Sequence, residues 1–196
     1  MTPLRGQPPA RRGAPCGRRP GAWRRGAGAL FFAMAGVLLA PQARADEASE
    51  IRALMAQGDL AAALARSEKA VDANPRDAQA RFLNGVVLMD LRRDDEALAV
   101  FQRLAEEYPE LPDPYNNMAL LHARAGRLEL ARQALETALR NDPGHATARA
   151  NLGQVYLMLA VRAWEGAVAA APMDQPLQHK LAAARALLAA PAQPGR

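Results

Sequence analysis

The sequence has little of what chemistry usually requires. It holds one cysteine, Cys16, and three histidines in 196 residues. Beyond residue 45 the serine and threonine hydroxyls reduce to Ser49, Ser67, Thr137 and Thr147. None sits in a G-x-S-x-G turn that would expose a nucleophile, and no glycine-rich loop could cradle a phosphate. His122, His145 and His179 lack the spacing of a metal site, and no thiol stands near to complete one. Carboxylates are plentiful, but they fall on predicted helix surfaces and turns, where solvated charge is the simpler reading. These absences point away from an enzyme, and neither a cofactor nor a metal is expected.

Nucleic acid is not expected either, although the net charge of +5 invites it. Eight of the 25 basic residues (Arg5, Arg11, Arg12, Arg18, Arg19, Arg24, Arg25 and Arg44) lie in residues 1–45 with no acid among them. That leaves 17 basic against 20 acidic residues in the remainder, so the basic character belongs to the leader and not to a binding face. The leader has three parts: arginine-rich to Arg25, apolar from Gly26 to Ala40, then Ala43-Arg44-Ala45 as an A-x-A site. The apolar run is shorter than the roughly 20 residues that span a bilayer, so residues 1–45 read as a secretory signal peptide cleaved before Asp46. An uncleaved anchor is the alternative. Arg24-Arg25 is followed by Gly26-Ala27-Gly28, without the hydrophobic pair of twin-arginine export, which favours the general secretory route. Cys16 precedes the apolar run, so it cannot be a lipid-modified first residue, and no cysteine remains to form a disulfide after cleavage. An exported chain with neither lipid anchor nor disulfide suits a periplasm, with membrane contact only through the leader before cleavage.

What is present is a period. Asp113 to Pro143 reads as two antiparallel helices: Asp113 and Pro114 as N-cap and first-turn pair, Gly126 as the turn, and Asn141-Asp142-Pro143 as the stop. Stepping back by 34 carries Pro143 to Pro109 and Pro75, Gly126 to Arg92 and Gly58, Ala131 to Ala97 and Ala63, and Ala138 to Leu104 and Ala70. Leu135 falls on Phe101, and then on Ser67. A 34-residue helix-turn-helix period resembles the tetratricopeptide repeat (TPR) family over about three quarters of the chain. The predicted fold is therefore all-α, a TPR superhelical solenoid with a C-terminal capping helix. Repeats are predicted at about 46–77, 78–111 and 112–145, in a domain of residues 46–190 with a flexible tail at 191–196. The first repeat is expected to fray, because Ser67 stands where the others carry a large residue. Gly85 takes the small-residue slot of the second, with Phe101 as its plug, and the charged run Arg92 to Glu96 replaces the turn glycine.

The fourth repeat, 146–173, departs from the rule. Asn151, Leu152, Gly153 and Tyr156 keep register, but Pro172 arrives five residues early, and the missing residues are the turn. No glycine, proline or asparagine between Gln154 and Glu165 could reverse the chain, so one helix is predicted over 146–170. A capping helix over 176–189 should fold back on it through Leu177, Leu181, Ala184, Leu187 and Leu188.

The resemblance implies a right-handed superhelix whose concave wall, made by the first helix of each repeat, holds an extended peptide or a partner's helix. Carried over by register, the wall comprises Arg52 and Met55; Phe82, Val86, Met89 and Asp90; Asn116, Asn117, Leu120 and Arg124; and Ala150, Asn151, Gln154 and Leu157. Asn117 and Asn151 fall where resembling proteins bind a ligand backbone, since an amide offers donor and acceptor together. The slots that hold basic residues in carboxylate-clamping relatives carry Ala48, Leu83 and Asp113 here, so capture of a free C-terminus is not expected. The function implied is a protein–protein interaction module, a periplasmic scaffold or escort for an envelope protein. The alternative is a non-catalytic structural or regulatory subunit of an envelope machine.

Overall fold

Amphipathic stretches broken at regular turns give eight α-helices, and no strand, among the described residues of the computed structural model. These are residues 40–171 and 174–190, with residues 40–46 as backbone only. The predicted leader and tail fall outside them, except that α1 (Ala40–Ala56) runs unbroken across the Ala45–Asp46 bond. The helices that follow are α2 (Leu60–Ala73), α3 (Ala78–Asp90), α4 (Asp94–Glu107), α5 (Pro112–Arg124), α6 (Leu128–Asn141), α7 (Ala146–Ala170) and α8 (Gln175–Ala189).

The turns inside the first three hairpins share one construction. Gly58, Arg92 and Gly126 take the left-handed conformation, with φ of 79°, 61° and 71°. Each donates its N–H to the carbonyl three residues back, at Met55, Met89 and Ala123. The next residue donates five back, to Leu54, Leu88 and His122. This double bond satisfies the orphan carbonyls of a helix end. Arg92 therefore does the work of glycine against its own side chain. The turns between hairpins use side chains instead: Asp77 Oδ1 accepts from the N–H of Gln79 and Ala80, and His145 Nδ1 from that of Ala148. The third hairpin differs from the sequence reading, for α5 starts at Pro112 behind Leu111, which makes no side-chain cap. Asp113 is thus a first-turn residue, and its Oδ1 lies 3.1 Å from His145 Nε2 of the next loop. With Nδ1 already accepting, the proton of that ring sits on Nε2 and points at the carboxylate.

Burial follows the repeat. Ala63, Ala97 and Ala131 have no exposed surface and let the two helices of each hairpin approach closely. Gly85 does the same more severely, since a Cβ there would lie 2.8 Å from two ring carbons of Phe101. The first repeat is better packed than expected. Ile51 and Ser67 are both fully buried, so the large residue has moved to the first helix and the small one to the second. Ser67 donates to Leu64 O and accepts from Asn84 Nδ2 of the next repeat.

Each helix packs on its sequence neighbour; among non-neighbours only α1 with α3, α3 with α5, and α5 with α7 touch. The odd-numbered helices therefore form an inner layer and the even-numbered ones an outer layer, as in a curved solenoid. Polar staples repeat along the stack. Tyr108 Oη donates to Arg76 O, and Asn141 Nδ2 to Pro109 O; Arg124 and Arg162 reach Met89 O and Gly126 O.

Helix α7 has no reversal between Leu157 and Arg162 and extends roughly 37 Å. Helix α8 folds back along it, with Leu181, Ala184 and Leu188 packing against Leu157, Val161, Trp164 and Val168. Leu187, expected in that contact, is instead 64% exposed, because it lies a quarter-turn from the Leu181–Ala184–Leu188 stripe.

Candidate functional site

The inner layer carries a half-open concavity of about 360 Å³. Its lining comes from α1, α3, α5 and the loop before α5 (Arg52, Gln79, Phe82, Leu111, Asp113 and Pro114), floored by Ala78 of α3 and Leu104 of α4. The Phe82 ring is held by Phe101, with centroids 5.6 Å apart and planes tilted by 56°, an arrangement that ring quadrupoles favour. The walls are mainly apolar, with Arg52 and Asp113 placing opposite charges on the lining. Such a recess accepts an apolar side chain and offers polar groups to the backbone around it.

The other predicted wall residues divide by burial. Arg52, Asp90, Arg124 and Gln154 are exposed. Met55, Val86 and Leu120 are half-buried, packing against the core while keeping one side open. Met89 and Asn116 are buried, at 7% and 6% exposure, and belong to the stack more than to its surface. The amides are engaged internally. Asn151 Nδ2 donates to Asn116 Oδ1 at 2.8 Å, joining α7 to α5, and Asn117 Nδ2 donates to Asp113 O of its own helix at 3.0 Å. Arg124 forms an ion pair with Asp94 at 2.9 Å. A ligand that used these groups would have to exchange partners with them. Gln79, Leu111 and Pro114 escaped the sequence reading, which took one helix face by register and left out the loop that closes the recess.

His122 is not a free base. It is buried, its Nδ1 accepts from Arg127 Nε at 3.1 Å, and burial together with that guanidinium pushes its pKa below the ordinary histidine value. Arg81 forms a two-pronged pair with Glu107 that clamps α3 to α4, and the bond holds the Glu107 carboxyl below its usual range. Among the described residues no group of three or more His, Cys, Asp or Glu could hold a metal ion. Nor is any helix among them long and apolar enough to cross a membrane.

Known proteins share this architecture. Residues 49–112 match the tetratricopeptide repeat model, and residues 88–160 match that of the coatomer epsilon subunit. No curated protein matches the chain significantly. The first TPR domain of human RPAP3 superposes with a TM-score of 0.55 at 18% identity, covering 58% of this chain and 90% of that one. A thermophilic TPR protein of Thermus thermophilus gives 0.54 at 21% identity, over 72% of this chain and 98% of that one. The first TPR of Spaghetti (RPAP3), solved bound to the HSP90 peptide SRMEEVD, also gives 0.54, at 18% identity, covering 58% of this chain and 90% of that one. Period, turn construction, two-layer packing and these superpositions agree: the chain has the all-α tetratricopeptide-repeat fold.

Proposed function

We propose that this protein is a non-catalytic interaction module of the periplasm, a scaffold or escort that holds an extended peptide or helix of an envelope protein against its inner layer. The observation that carries the reading is the recess between α1, α3 and α5, an apolar pocket of side-chain size floored by Leu104 and edged by Arg52 and Asp113. The peptide-bound relative supports the general mode. The leader supports export. Because the inner amides are already paired, an apolar side chain seated at Phe82 supplies about 1.5–3 kcal/mol, and the rest of a micromolar affinity, about −8 kcal/mol, comes from the length of peptide laid along the inner layer.

Panning a random peptide library against the purified protein and its Gln79→Trp variant tests this. Gln79 is exposed on the lining, so the indole fills the recess without disturbing the core. Enriched peptides should share an apolar anchor and bind the variant at least tenfold more weakly. No enrichment, or equal binding to the variant, refutes the groove. Intact mass from a periplasmic fraction should place the first residue at Asp46; retention in the cytoplasm refutes the location. The second reading, a permanent structural subunit, draws on Tyr156 and Leu187, which are 48% and 64% exposed on the last two helices.

A further inference from the structure

The fourth repeat is half-built, and its missing half lies on the same helix. In the three complete hairpins one register pairs a residue of the first helix with one of the second. The pairs are Ile51 with Ser67, Gly85 with Phe101, and Ala119 with Leu135, all buried. Across the shortened turn, the fourth pair at that register is Gly153 and Trp164, glycine and aromatic as in the second repeat. Helix α7 never turns, so these two stand about 16 Å apart along its axis. Gly153 is exposed, with nothing within 4 Å of the position a Cβ would take, whereas a Cβ at Gly85 would strike the Phe101 ring at 2.8 Å. Tyr156 is 48% exposed where Leu88 and His122, at its register, are 4% and 9% exposed. The other side of the interface is open too. Ala167 is exposed where Leu104 and Ala138 are fully buried, and Ala160 is partly open where Ala97 and Ala131 are closed.

Part of one helix–helix contact is therefore open on each half of α7, at Gly153 on the first and at Ala160, Ala167 and the side of Trp164 that α8 leaves free on the second, and a single chain cannot bring the two together. Helix α8 does not close the gap: it packs along Leu157, Val161, Val168 and one side of Trp164, while Gly153 stays exposed and Tyr156 stays half-exposed with its hydroxyl on Glu136 of α6. Arg162 donates to Gly126 O and ties α7 down in its straight course. The earlier turns are charged, as in Arg92 to Glu96, but the fused segment Val155 to Val161 carries no charge.

We propose that a second copy of this chain covers this face. Two α7 helices cross antiparallel about a two-fold axis that passes between Leu157 and Ala160, and Trp164 of each seats over Gly153 of the other. The contact continues the ladder that Phe101 and Leu135 build within the chain, and each copy completes the other's fourth repeat. Such an interface is self-complementary and closes at two copies.

Sedimentation equilibrium of the purified protein tests this, with two variants. The wild type should show twice the monomer mass at micromolar concentration. Gly153→Arg has open space on a single chain but clashes twice in the pair. It should weaken association roughly 100-fold while leaving helicity unchanged. Inserting the five residues Ala125 to Glu129 as a turn between Met158 and Leu159 lets Trp164 return to Gly153 of its own chain. That variant should be monomeric at every concentration. A wild type that remains a monomer at its highest soluble concentration overturns the proposal, as does a dimer that both variants leave intact.

Discussion

Arg92 is the place where one substitution should improve the protein. Its φ of 61° puts an L-residue in the left-handed region, where glycine stands in the two equivalent turns. A side chain there costs about 1–2 kcal/mol from the close approach of Cβ to the following carbonyl. Glycine removes that cost but returns about 0.5–1 kcal/mol through the extra freedom of the unfolded chain. The Arg92 side chain is exposed, and the backbone bonds to Met89 O and Leu88 O need no side chain. Arg92→Gly should therefore stabilise by about 0.5–1 kcal/mol, a rise in melting temperature of roughly 1–4 °C for a domain of this size. The reciprocal Gly126→Arg should lose about 0.5–1 kcal/mol by the same balance. Thermal and urea denaturation followed by circular dichroism read both variants. A melting temperature that falls in Arg92→Gly, or is unmoved in Gly126→Arg, refutes the shared turn construction.

Gly85→Ala should destabilise by about 1 kcal/mol, because overpacking against Phe101 exceeds the helix-propensity gain; in a Phe101→Leu background the same change should stabilise, as urea midpoints would show. Ser67→Phe should cost about 1–3 kcal/mol or more against the buried Ile51, and adding Ile51→Gly should restore part of it; a neutral Ser67→Phe would deny the inverted pair in the first repeat. His122 has a folded pKa below its unfolded value of about 6.5, so its contribution is complete above pH 6.5 and is lost as pH falls from there toward the folded pKa. Wild-type urea midpoints should drop between pH 7.5 and 5.5, and the drop should shrink in His122→Tyr, which places the aromatic found at Tyr156 in the same register. Ala131→Trp should be among the most damaging single changes, because Ala131 has no exposed surface.

The period was legible because each repeat must hide the same stripe, which leaves small residues at Ala63, Ala97 and Ala131 and stops at Pro75, Pro109 and Pro143. The fused α7 was legible from the want of any residue between Gln154 and Glu165 that could reverse a helix. What escaped depends on contacts between repeats and not on spacing within one. Asn151 meets Asn116 across two helices, so an amide that looked free by register is spent on packing. Met89 lies one residue from the exposed Asp90, and a step of about 100° around a helix carries a side chain from core to water. Arg92 was legible only as a charged turn, since nothing in its side chain announces a positive φ. Ser67 looked like a defect because its partner Ile51 lies sixteen residues upstream, on the opposite helix.

The central claim, that partners sit against the inner layer and not the outer one, is tested most directly by photo-crosslinking in living cells. A photoreactive residue at Phe82 or Leu120 should give discrete adducts, and one at Gln133 on the outer helix α6 should give none beyond background. Adducts at Gln133 with none at the two inner positions would contradict it.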